Sequence, residues 1–73
     1  MLRNDIEVDA LMIARLLSDS GTLTVRQIGE ITGYREKMII LALGWLAREN
    51  KIEFFEREET IYIKLKNYSE MYY

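Results

Sequence analysis

The chain has 73 residues, a formal net charge of −2 and a pI of about 5.1, with neither cysteine nor histidine. Those absences exclude disulfides, zinc sites, Cys or Ser–His nucleophilic pairs and imidazole acid–base work. The acidic balance argues against strong phosphate affinity, and an apolar content of 49% is too high for a disordered chain.

Asp5 to Ser18 reads as a first helix. Ile6, Ala10, Ile13, Leu16 and Leu17 recur at the spacing of one buried helical face. Asn4 or Asp5 is placed to serve as its N-cap, and Ser20-Gly21 ends it. Thr22-Leu23 is a short extended link. Thr24 then begins a second, short helix. With Gln27 it matches the capping box, in which each side chain satisfies the other's backbone donor. Val25, Ile28 and Ile31 are expected inward, and Gly33 supplies a turn at positive φ.

A third helix is predicted from about Arg35 to Glu49, with Ile39, Ala42, Leu43 and Leu46 as its inner stripe. Asn50 suits the left-handed position after a helix. Two alternating strands follow, KIEFF and TIYIKL, joined by the polar run Glu56-Arg57-Glu58-Glu59. A four-residue loop there pairs Phe54 with Ile61 and Ile52 with Ile63. The fold class expected is α+β, mostly α with a small β-hairpin.

The order helix, brief strand, helix, turn, helix, hairpin resembles the winged helix-turn-helix plan, three helices plus a two- or three-stranded wing. Gly33, Ile39, Ala42-Leu43, Leu46 and Ile52 fall where such domains place the turn glycine, the third-helix core and the first wing strand. The likeness covers roughly residues 6 to 65. A closer resemblance lies in the run Ala42 to Glu49, ALGWLARE, followed by Asn50 and Lys51-Ile52. It is similar to a family of small prokaryotic winged helix-turn-helix proteins with an ALGWLARE-type signature in the third helix. That family tends to carry aspartate where this chain has Asn50. The resemblance implies the fold and dimerisation, and no activity. Residues 1–66 are expected to form this domain and residues 67–73 an aromatic tail.

In DNA-binding winged helices the third helix lies in the major groove. Here the inner stripe leaves Lys37, Ile40, Leu41, Gly44 and Arg48 outward. Base readout needs Arg, Lys, Asn, Gln, Ser or Thr at the centre of such a face, and this centre is Ile40, Leu41 and Gly44. Residues 53 to 59 carry four glutamates against one arginine, which repels phosphate. A DNA contact set drawn from the cations consists of Arg26, Arg35, Lys37, Arg48 and Lys51. Its bland counterpart is a solvated rim of salt-bridging residues.

A core of this size is marginal, so self-association is expected. Val8, Leu11 and Met12 form a second apolar stripe on the first helix. Ile40, Leu41 and Trp45 lie off the inner stripe of the third helix around Gly44, and the tail adds Tyr68, Met71 and Tyr72. These residues are the candidate homodimer interface. The alternative is that the tail covers its own first helix.

Glu56, Glu58 and Glu59 form the densest carboxylate cluster, on a hairpin tip with nothing to raise a pKa. Gly29 and Gly33 make no phosphate-loop pattern. No catalytic activity, metal or cofactor is expected. The N-terminal run MLRNDIEVDA holds no signal-peptide core and no membrane span, so the cytoplasm is the expected location. The function expected is a small regulator-like DNA-binding protein acting as a homodimer on double-stranded DNA. The alternative is a protein-interaction or dimerisation module that keeps the fold and does not bind DNA.

Overall fold

The computed structural model describes residues 2–66, with side chains described from Asn4 onward. The elements in chain order are α1 (Leu2–Ser20), β1 (Leu23–Thr24), α2 (Val25–Thr32), α3 (Glu36–Arg48), β2 (Ile52–Arg57) and β3 (Thr60–Leu65). The strands form one antiparallel sheet in the order β1-β3-β2. Three helices and a three-stranded sheet give the expected α+β architecture.

α1 is longer than its apolar stripe suggests. Asn4 and Asp5 lie inside it and are not caps; Asp5 instead places a negative charge in the first turn, where it favours the helix dipole. The helix closes when Gly21, at φ 86°, donates its N–H to the Leu17 carbonyl at 2.8 Å. Ala10, Ile13 and Leu17 are buried, and Leu16 packs half-buried beside them.

The capping box at the start of α2 is complete. Gln27 N–H donates to Thr24 Oγ1 at 3.1 Å, and Thr24 N–H donates to Gln27 Oε1 at 2.9 Å. Gly33 takes φ 76° and donates to the Gly29 carbonyl at 2.8 Å. Of the three residues expected inward, Ile28 is fully buried and Val25 packs against the core. Ile31 is a correction, because it is exposed. At about 100° per residue, Val25 and Ile31 sit some 60° to either side of Ile28. Only the Val25 side is covered.

α3 supplies Ile39, Ala42, Leu43 and Leu46 to the core, as its spacing predicts. Its N-cap is Arg35, with no side-chain cap hydrogen bond, and its C-cap is Glu49. Trp45, expected to stand off the inner stripe, is half-buried and packs against the core.

The hairpin register differs from expectation. Phe54 stands opposite Ile63 and Ile52 opposite Leu65, with a two-residue turn at Glu58-Glu59. Both turn residues take positive φ, 53° and 69°, as a type I′ hairpin turn requires. The shift is by two residues, so every side chain keeps its face. Ile52, Phe54, Ile61 and Ile63 still share one side of the sheet.

Candidate interaction surface on the third helix and wing

The exit from α3 sets how the hairpin meets it. Asn50 takes φ 63° and donates to the Ala47 carbonyl at 2.9 Å, while Lys51 N–H donates to the Leu46 carbonyl at 3.0 Å. This bonding pair is a Schellman motif. It turns the chain back, so that β2 and β3 run beside the outer flank of α3.

An apolar groove results. Ile40 and Gly44 of α3 form one wall and Phe54 and Ile61 of the hairpin the other, over Leu43 and Ile63. Ile40 is 52% exposed, Phe54 49% and Ile61 52%. On its other flank Gly44 borders a second groove with Leu41, Trp45 and Ile6. A Cβ at Gly44 would meet no atom within 4 Å. The glycine therefore sits on a saddle between two depressions, the one toward the wing apolar and the other lined also by Arg48 and Glu49.

The five cations of the sequence-derived DNA set are all exposed but divide into two groups. Arg35 caps α3 and Lys37 follows in its first turn, whereas Arg48 lies in the last turn. Lys37 and Arg48 are separated by about 16 Å of helix rise at 1.5 Å per residue. Arg26 on α2 pairs with Glu30 at 3.3 Å, and Lys51 pairs with Glu49 at 3.4 Å. Among the described residues, Arg35, Lys37 and Arg48 make no ion pair.

The wing is acidic. Glu53, Glu56, Glu58 and Glu59 are exposed, with Arg57 as the one cation of that run. Strand alternation places Glu56 on the same sheet face as Phe54, extending the groove wall with a carboxylate. On the opposite face Phe55 stacks on Tyr62 at 5.5 Å between centroids, and Lys64 Nζ lies 5.8 Å from the Phe55 ring centre.

Of the sequence-derived interface residues, Val8, Leu11 and Met12 are exposed on α1, apart from the α3–wing groove. Ile40, Leu41 and Gly44 are exposed on α3. Tyr68, Met71 and Tyr72 lie outside the described residues. Sequence reasoning missed Phe54 and Ile61 as surface residues. Alternation assigns them to the inner face but says nothing of how far α3 covers that face.

Residues 1–65 match the family model described as winged helix-turn-helix domain (DUF2582). The chain belongs to this winged helix-turn-helix family. No curated protein matches it. The family description states a fold, so any activity of this winged helix chain has to come from its surface chemistry. Among the described residues, no helix is long and apolar enough to cross a membrane, and no group of His, Cys, Asp or Glu is placed to hold a metal ion.

Proposed function

We propose that this winged helix protein is a non-enzymatic protein-interaction module whose α3–wing surface receives protein in place of duplex DNA. One observation carries the reading. The centre of the face that a DNA-binding relative would present to the major groove is Ile40, Leu41 and an open Gly44, continuous with Phe54 and Ile61. Apolar residues there offer no hydrogen bonds to base edges. They do offer the desolvated core that protein interfaces favour. The acidic wing works in the same direction, since phosphates are repelled where a groove-bound wing would lie.

A regulator-like role on double-stranded DNA is the second reading. It is favoured by the fold and by Arg35 and Lys37, which lie exposed at the start of α3 with no ion pair among the described residues. Gel shifts on random duplex at several salt concentrations separate the two. The interaction module shows no retardation at any salt. A DNA binder shows retardation with a steep salt slope, abolished by Arg35→Glu with Lys37→Glu.

A further inference from the structure

On the sheet face turned away from the α3–wing groove, we infer a binding site for a small planar aromatic monocarboxylate. Strand alternation puts Phe55 and Arg57 of β2, Tyr62 and Lys64 of β3 and Thr24 of β1 on that face. A hollow of about 370 Å³ lies there, lined by Thr22, Gln27, Phe55, Arg57 and Tyr62. None of these residues borders the α3–wing groove. The site therefore stands apart from the protein-binding reading of that groove.

One part of the lining is aromatic. The Phe55 and Tyr62 rings stack at 5.5 Å between centroids and 17° between planes, and both are half-buried. On β1 the partner of Tyr62 is Thr24, a short residue whose hydroxyl is committed to the Gln27 N–H. Among the described residues, no further ring packs on the pair. A ring seated in the hollow can extend the row offset-stacked or edge-on, both favourable arrangements.

The other part donates hydrogen bonds. Arg57 is exposed and makes no ion pair among the described residues. Gln27 turns its amide oxygen to the Thr24 N–H, which leaves its NH₂ group as the donating end. Thr22 and Tyr62 add hydroxyls, and no carboxylate lines the hollow. A guanidinium fork among donors suits a planar anion with two paired acceptors, which a carboxylate is. Glu58 and Glu59 follow Arg57 at the turn, and their charge opposes a phosphate dianion more than a monoanion. One ring bearing one carboxylate satisfies both parts, and the volume is at the small end of ligand pockets.

The test uses naphthalene-2-carboxylate as the probe, followed by amide proton–nitrogen correlation spectra of the full chain. Saturable shifts are expected at Thr22, Gln27, Phe55, Arg57 and Tyr62, with a dissociation constant of roughly 1 mM. Naphthalene-2-carboxamide lacks the charge and cyclohexanecarboxylate lacks the ring. Each is expected to bind about tenfold more weakly or worse. Arg57→Gln and Tyr62→Leu are expected to weaken the probe by a similar factor, with spectra that report a folded chain. No saturable shift at any soluble concentration overturns the inference, as does a folded Arg57→Gln with wild-type affinity. Shifts centred on Ile40, Phe54 and Ile61 also overturn it, since they place the probe in the apolar groove. Tighter binding of naphthyl phosphate or of a thymidine oligonucleotide at the same residues overturns the carboxylate and assigns the site to phosphate.

Discussion

The Lys66 ammonium donates a hydrogen bond to the Asn50 side-chain carbonyl, tying the end of β3 to the turn that follows α3. The Lys66 backbone N–H reinforces the tie by donating to the Lys51 carbonyl at 3.0 Å. Asn50 thus does two things. It holds the left-handed backbone of the Schellman turn and accepts from a cation 16 residues away. The angle between α3 and the wing, and with it the apolar groove, depends on both.

Asn50→Ala is expected to lower stability by about 1–2 kcal/mol, since alanine in the left-handed region is strained and the Lys66 contact is lost. Asn50→Asp keeps a residue tolerated there and offers Lys66 a charged acceptor. Urea titrations should rank the midpoints with aspartate at or above asparagine, and alanine below both.

Thr24→Ala removes the hydroxyl that accepts from Gln27 N–H. Loss of such a cap costs roughly 1 kcal/mol. Gln27→Ala removes the reciprocal bond to Thr24 N–H. The two losses belong to one box, so the double variant should fall short of the sum of the singles. Thermal melts of the four proteins measure this.

Replacing Glu58-Glu59 with Asn-Gly should stabilise the hairpin. Both positions have positive φ, which suits Asn-Gly and strains glutamate. A gain of about 1–2 kcal/mol is expected, read as a higher urea midpoint with an unchanged slope.

Gly44→Ala adds a methyl group to open space inside a helix. It should raise stability by about 1 kcal/mol, read as a higher urea midpoint. If copies of the chain meet through the outer face of α3, Gly44→Arg reduces that self-association, measured by light scattering. A Gly44→Arg protein that stays dimeric and gains duplex affinity would favour the DNA reading.

Local chemistry made much of the fold legible. Thr24 and Gln27 state their cap through side-chain type and spacing, and Asn50 states its turn through tolerance of positive φ. The inner stripe of α3 follows from period alone. The hairpin register did not, because Glu58 and Glu59 occupy positions usually marked by Asn and Gly. Nothing in their side chains announces a two-residue turn. The surface was half legible. Ile40, Leu41 and Gly44 follow from helical phase, but Phe54 and Ile61 join them only because α3 leaves part of the sheet face uncovered. Ile31 fails for the same reason, since periodicity gives a direction and tertiary packing decides what lies there.

The sheet order β1-β3-β2 leaves β2 bonded on one side to β3 and, among the described residues, to no strand on the other. An unpaired edge of six residues is a template on which further chains can add as strands and aggregate. Glu53, Glu56 and Arg57 break that edge with charge, and charged edge residues are what keep such templates from growing. Substitutions that neutralise the wing therefore carry a solubility hazard independent of any partner. Wing variants are best compared at low protein concentration, where insoluble stacking is not mistaken for altered recognition.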